Sequence, residues 1–238
     1  MSNSTEPLVT CWMATRNRRA WLPEAIRCWQ LQTYANKELL IVADGEKVND
    51  LIPRDDPRIS LVSLLDEERP LFLPDKFNLV CRMAKGVILS KWDDDDWSAP
   101  HRLTEQVALL QLTGKAVTGY HSILFTDGRD WYRYNNADWV AGTSLTFRKS
   151  WWECNPFASP SPLRRDPIGS DGVLARNALA QNQLVSVEGR ETVVASIHDA
   201  NTSVRNIGLA FWQKLHGFRG VPGYRWPLHR QHHQEVSA

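Results

Sequence analysis

The chain contains no CxxC pair, no internal repeat and no run approaching about 18 apolar residues. Without paired thiols, Cys11, Cys28, Cys81 and Cys154 read as free cysteines, Cys11 in an apolar run and Cys28 and Cys81 in helical patterns. That usage suits a reducing compartment. The opening MSNSTEP is polar and lacks the apolar core of a signal peptide, so the expectation is a cytoplasmic protein with no transmembrane segment. An excess of one charge is also missing, with 28 Lys and Arg against 27 Asp and Glu. The whole chain is therefore not an electrostatic nucleic-acid binder, although a local basic patch stays open.

What is present is a soluble globular composition, 42% hydrophobic and 23% charged, in a chain of 238 residues that can bury a substantial core. The first half alternates strand and helix patterns. PLVTCWMAT is a buried strand, and Asn17 can cap a helix that tolerates Pro23 near its start and repeats Leu22, Ile26 and Trp29. KELLIVADG and RISLVSLL are further strands. KFNLVCRMAKG reads as a helix closed by Gly86, VILSKW as a fourth strand, and APHRLTEQVALLQLTG as a helix stopped by Gly114. The fold class is α/β, an open and largely parallel sheet covered by helices. Ligands on such sheets bind beyond the carboxyl ends of strands. Those ends carry Thr15-Arg16-Asn17, Asp44-Gly45 and Asp93 to Asp96, so three segments converge on one crevice.

The second half is less regular. AVTGYHSILF, DWYRY, AGTSLTFR, LVSVEG and ETVVASIHD read as strands, and SDGVLARNALAQNQ as a helix opening near Asp171. FASPSPLRRDPIGS is a Pro- and Ser-rich loop of functional length. From Gly217 the periodicity is lost. One domain over 1–216 with an irregular tail over 217–238 is the simplest organisation.

The run KWDDDDW, Lys91 to Trp97, stacks four carboxylates between two tryptophans. Like charges a few Å apart repel by roughly 1 kcal/mol in water and about 4 kcal/mol near a protein surface. On an extended segment Asp93 and Asp95 would share one face and Asp94 and Asp96 the other. Paired hard oxygen ligands suit Mg²⁺ or Mn²⁺ completed by phosphate oxygens. A solvated acidic turn or a capping cluster before Ala99-Pro100 is the plainer alternative, and the position at a strand end favours the metal.

In these segments the sequence resembles the nucleotide-sugar glycosyltransferases of family 2, which have the GT-A fold. The similar pieces run in family order over roughly residues 8 to 205. They are CWMATRNRRAWLPEAIRCWQLQTY, ELLIVADG, KFNLVCRMAKGVILSKWDDDDWSAPHRL with its DXD-type acidic motif, AGTSLTFRKSWWECNPF, SDGVLARNALA and IHDANTS. Three positions depart from the pattern: Ala43 stands where a first acid is usual, Ser170 where a Glu is usual, and Arg16 where many relatives carry an aromatic.

The resemblance implies a nucleotide-sugar half over about 8–115 and an acceptor-side half over about 116–205. It implies that Asp44 accepts a hydrogen bond from the nucleobase, although a turn Asp before Gly45 would look the same. Thr15, beside Arg16, would line the nucleotide pocket, or serve equally as a helix cap. Lys76 and Asn78 would approach the nucleotide sugar, and Asn78 equally fits backbone cross-linking. Asp93 would contact the ribose or metal-bound water, and Asp95 would bind the metal and bridge to the diphosphate. Asp96 would support its neighbours, and Asp94, also on the donor side, would be the most dispensable. His198 would be a second metal ligand through neutral imidazole. Asp171 would be the catalytic base and Asp166 the second choice, while Asp171 as a helix cap is the bland alternative.

Arg164 and Arg165 could close over the diphosphate or remain solvated. Trp131, Trp139, Trp151 and Trp152 flank the expected acceptor side, with ordinary packing the better reading for any one of them. The RWPLHRQHH tail mixes cations and aromatics, as a nucleic-acid or anionic-membrane contact would, or lies solvated.

The expected function is metal-dependent, inverting transfer from a nucleotide-diphosphate sugar, foremost a UDP-sugar, using Mn²⁺ or Mg²⁺. The acceptor would be a glycan, a lipid-linked intermediate, a protein or a modified nucleic-acid base. Nucleotidyl transfer is the enzyme alternative, but it expects a Gly-rich phosphate loop and ATRNRRAW has no glycine. A non-catalytic nucleotide- or Ca²⁺-binding module is the third reading. Oligomeric state is not legible.

Overall fold

Along the first strand the side chains divide between two cores. Val9, Cys11 and Met13 of Val9–Arg16 (β1) join one cluster, and Trp12 joins the other, as period-2 alternation requires. The structure, a computed structural model, describes residues 6–64, 71–137, 139–158, 170–199, 201 and 211–225. A helix at Leu22–Gln30 (α1) covers the first face through Leu22, Ala25, Ile26 and Trp29. Then follow Lys37–Asp44 (β2), Ile59–Ser63 (β3) and the helix Leu73–Met83 (α2), which packs Phe77, Val80 and Cys81 against Trp12, Leu40 and Val42 on the second face. Ile88–Lys91 (β4) returns beside β1, giving the parallel order β3-β2-β1-β4.

The remaining strands widen this parallel half into a mixed sheet. Trp97–Ser98 (β5) precedes the helix Arg102–Thr113 (α3), which stops at Gly114 in the left-handed conformation. Val117–Thr126 (β6), Trp131–Asn135 (β7) and Thr146–Arg148 (β8) are antiparallel to their immediate partners. Lys149–Cys154 (α4) and Ser170–Ala180 (α5) lead to Leu184–Glu188 (β9) and Val193–Ser196 (β10), both parallel to β6. Trp212–Lys214 (β11) pairs antiparallel with β7. No helix among the described residues is long and apolar enough to cross a membrane.

Several local expectations need correction. Asn17 does not cap α1. It sits at φ 54° in the connection, and the helix starts after Trp21 with Pro23 near its beginning. The second helix starts earlier than its apolar pattern suggests, because Pro74 is favourable in the first turn, and it ends at Met83 with Ala84 as its cap, short of Gly86. AGTSLTFR is not one strand, since Gly142–Ser144 forms a 3-10 turn before β8. The tail keeps an irregular backbone over 217–225, yet Phe218, Val221 and Tyr224 pack against the core. Trp131 makes edge contacts with both Phe218 and Tyr224, at 5.3 and 5.2 Å between ring centroids.

Candidate active site

The carboxyl ends of β1, β2 and β4 form a shelf. β1 and β2 end in register, Arg16 opposite Asp44, and buried Thr15 lies one residue back with no partner for its hydroxyl. Asp44 is buried between two cations, 2.5 Å from Lys76 Nζ and 3.5 Å from Arg16 Nε. Neither of its oxygens accepts a well-aligned hydrogen bond, which leaves lone pairs for an N–H donor. Asn78 departs from the donor-binding expectation. Its Nδ2 donates to Phe157 O at 2.7 Å, and its Oδ1 accepts from Trp152 Nε1 and Phe157 N at 2.9 and 3.0 Å. This amide cross-links α2 to the segment after α4, the alternative that its sequence context left open.

The acidic run is not extended. Asp94 and Asp95 form a turn, so the predicted alternation of faces fails and the two neighbours share a partner, with Arg18 Nη1 2.9 Å from Asp94 Oδ1 and from Asp95 Oδ2. Asp95 Oδ2 also meets His198 Nε2 at 2.9 Å and Asn201 Nδ2 at 3.3 Å. The His198 ring stacks on Trp21 at 4.4 Å. Asp96 turns the other way and accepts the Ser196 N–H at 2.9 Å. Asp93 pairs with Lys91 Nζ at 3.1 Å. The same ammonium is 3.0 Å from Asp171 Oδ2, while Asp171 Oδ1 accepts the Gly172 N–H at 2.9 Å.

Burial separates these acids in ionisation, which answers the repulsion problem. Burial first, then repulsion from Asp95, pushes Asp94 up to about 7 despite Arg18. Burial, then the charges of Asp95 and Asp93, pushes Asp96 up to about 8. Burial opposes ionised Asp95 as well, but the His198 hydrogen bond and the Arg18 charge overcome it and hold Asp95 below the usual carboxylate range. Asp171 behaves alike: burial raises it, and the Lys91 charge and hydrogen bond bring it below its ordinary value. Near neutral pH the four consecutive acids therefore do not all carry full charge.

A divalent ion with bonds of about 2.1 Å in an octahedron holds its cis donors roughly 3 Å apart. Asp95 Oδ2 and His198 Nε2, at 2.9 Å, match that edge, and carboxylate with imidazole suits Mn²⁺. The buried Asp94 Oδ2 beside them has no hydrogen-bond partner. Among the described residues no group of three or more His, Cys, Asp or Glu could hold a metal, so further ligands must come from phosphate or water. On this test the residues fit the cation.

Residues that the sequence left without a role complete the site. Arg102, fully buried, donates to Lys91 O at 2.8 Å, Thr143 O at 2.9 Å and Ser98 Oγ at 2.8 Å, and its guanidinium lies over Trp92 at 4.9 Å. It ties the start of the acidic run to the 3-10 turn. Its only sequence signal is an arginine on a core-facing helix position. Arg18 and Lys91 carry fainter signals, a basic residue in the first connection and a lone lysine closing a buried strand. Of the four tryptophans expected near the acceptor, Trp152 is core, Trp151 and Trp139 pack against that core, and Trp131 holds the tail segment. Asp166, Arg164, Arg165 and the RWPLHRQHH tail beyond Arg225 lie outside the described residues.

This shelf, a parallel half-sheet with acids at its carboxyl edge, is that of a GT-A glycosyltransferase fold. The family model for glycosyl transferase family 2 matches residues 10–169, and the chain belongs to that family. Residues 1–349 of S. aureus TarS, solved in complex with UDP-GlcNAc, superpose with a TM-score of 0.65 at 14% identity over 82% of this chain and 60% of that one. The mannosyltransferase PcManGT from Pyrobaculum calidifontis, solved with GDP-Man and Mn²⁺, gives 0.60 at 15% identity over 82% and 57%. The chain thus spans less than two thirds of the length of these relatives. No curated protein matches it.

Proposed function

We propose that this chain is a metal-dependent, inverting glycosyltransferase that takes its sugar from a nucleotide-diphosphate sugar, foremost a UDP-sugar. The observation that carries the reading is the Lys91 bridge, which brings the acceptor-side Asp171 to the start of the acidic turn, 3.0 and 3.1 Å from one ammonium. Family membership and the sugar-nucleotide complexes of the structural relatives support the donor class.

In this reading Asp44 accepts the N–H of the base, and Lys76 and Arg16 hold its carboxylate in place. Thr15 lines the same pocket and Asp93 faces the ribose. Asp95 and His198 hold the cation, Mn²⁺ or Mg²⁺, and Asp96 anchors the turn to β10. The bound cation supplies Lewis-acid neutralisation of the diphosphate. Asp171 takes the proton of the acceptor hydroxyl as the acceptor oxygen attacks the anomeric carbon from the face opposite the diphosphate. The bond from that carbon to the phosphate oxygen breaks, its electron pair leaves with the diphosphate, and the configuration inverts. Although both Asp171 oxygens already accept hydrogen bonds, a carboxylate has about four lone-pair sites, so the acceptor hydroxyl can still bind.

The test is a hydrolysis screen of nucleotide sugars with Mn²⁺ or Mg²⁺, followed by glycan, lipid-linked, protein and modified nucleic-acid acceptors with the best donor. Asp95→Ala should lose transfer and metal-dependent nucleotide binding while still folding. Asp171→Asn should keep UDP binding and lose transfer. Unchanged turnover in Asp95→Ala would overturn the proposal.

A further inference from the structure

We infer that Lys91 is a positioning residue, whose ammonium bridges Asp93 and Asp171 and seats the acceptor-side carboxylate against the donor-side acidic turn. The inference rests on the reading of Asp171 as the base and gives the bridging lysine a role of its own in that site.

Four observations converge on it. First, Lys91 closes β4, a strand otherwise made of Ile88, Leu89 and Ser90, and its side chain is only 11% exposed. A lysine in so buried a place is retained at a desolvation cost of several kcal/mol unless it is paired. Second, its stem is fixed at both ends: its N–H donates to Leu145 O at 2.8 Å, Arg102 holds its carbonyl at 2.8 Å, and the ammonium lies 5.6 Å from the Phe77 ring centre. Third, the two carboxylates it joins are 78 residues apart in sequence (171 − 93), one in the acidic run after β4 and the other in the first turn of α5, and one ammonium pairs with both. Fourth, Asp171 is blocked from retreating, because it lies so close to Gly142 that a Cβ there would overlap Asp171 Oδ2. Lys91 and the Gly142 turn together leave one seat for this carboxylate.

Charge follows from the seat. Lys91 is the cation facing Asp171, and across it stand Asp93 and Asp95 of the acidic turn, both of which would repel an ionised Asp171 if the ammonium were removed. An opposite charge within about 4–6 Å lowers a carboxylate by roughly one to three pKa units, so removing it raises the carboxylate by a comparable amount. A base acts in its deprotonated form, so the acidic limb of the rate profile must then move to higher pH.

The experiment compares Lys91→Met, Lys91→Gln, Lys91→Arg and Asp171→Asn with the parent. The readouts are melting temperature, UDP affinity by calorimetry, UDP release from a panel of UDP-glucose, UDP-galactose and UDP-N-acetylglucosamine, and carbon-13 titration of the Asp171 carboxyl. Asp171→Asn assigns that resonance, so the titration needs no substrate. Lys91→Met should keep UDP affinity within about threefold, lose turnover by roughly a hundredfold from misplacement, and raise the Asp171 midpoint by about one unit or more. Lys91→Arg should restore the parental midpoint. If Lys91→Met does not fold, Lys91→Gln, one atom shorter than lysine but still a neutral hydrogen-bond donor, should show the same upward midpoint. A parental midpoint and turnover in the neutral variant overturn the inference. If Asp171→Asn retains transfer, the base assignment fails instead. Loss in Asp171→Asn beside parental behaviour in Lys91→Met removes the role of Lys91 alone.

Discussion

Arg18 places a single guanidinium nitrogen, Nη1, 2.9 Å from Asp94 Oδ1 and 2.9 Å from Asp95 Oδ2. The protein thus brings its own cation to the Asp95 oxygen proposed as a metal ligand. On the proposed metal role Arg18 and a divalent ion would compete for Asp95 Oδ2, and a charge-assisted hydrogen bond contributes about 1.5–3 kcal/mol. Arg18→Met should therefore tighten Mn²⁺ binding in the absence of nucleotide by roughly tenfold, the equivalent of about 1.4 kcal/mol. Titration of free Mn²⁺ by electron paramagnetic resonance checks this without any turnover. An equal or weaker affinity would show that the arginine and the metal do not share the oxygen.

Gly142 tests the seat of Asp171 from the other side. A methyl group there overlaps Asp171 Oδ2, and overpacking of this kind costs about 1–3 kcal/mol. Gly142→Ala should lower the melting temperature, leave UDP affinity unchanged and reduce turnover at least tenfold, since the reacting groups tolerate about 1 Å of displacement at most. Parental turnover with an intact fold would mean that Asp171 has freedom the packing denies it.

Asn78 separates a structural from a donor-binding role. Its amide makes three buried hydrogen bonds, so Asn78→Ala removes all three and strands Trp152 Nε1 and Phe157 N and O without their partner. At about 1 kcal/mol each, the expected loss is roughly 3 kcal/mol of stability. UDP affinity measured below the melting transition should not change. A large fall in affinity with little loss of stability would restore the donor-side role.

Thiol reactivity reports the packing of the sheet. Burial pushes the thiols of Cys11 and Cys28 up to about 12, and Cys81 rises for the same reason, while Cys154 is exposed. The thiolate is the reactive form, so the three buried groups have almost none of it at pH 8. Titration with a disulfide reagent should find one fast thiol in the native chain and four in guanidinium chloride. Two or more fast native thiols would contradict the burial of β1, α1 or α2.

How far the fold was legible depends on where each constraint lies. β1, β2 and β4 were readable because their stretches are buried on both faces and so form apolar runs, and Asp44 and the acidic turn fall at their ends as expected. The shape of the turn was not readable. Alternation assumed an extended backbone, whereas Arg18, 76 residues away, draws Asp94 and Asp95 to one point. Lys91 was hidden because nothing within its own strand calls for a cation, and its partner Asp171 comes 80 residues later. The RWPLHRQHH segment, whose composition suits a nucleic-acid or membrane contact or a solvated tail, lies outside the described residues beyond Arg225. Phe218, Val221 and Tyr224, which precede that segment, pack against the core, so a deletion after Gly217 would remove core contacts together with any binding surface.

β10 pairs Val194 with Trp97 and Ser196 with Thr126, and two residues further along stands His198. Strand pairing has a period of two, so a slip of one residue would bring Ile197 to the place of His198 and turn the strand's faces over. Asp96 would lose the Ser196 N–H in the same event. If Asp95 and His198 hold a divalent ion as proposed, the affinity of the site for that ion would measure strand register, and a chain refolded with β10 misplaced would announce the error by failing to take up the ion.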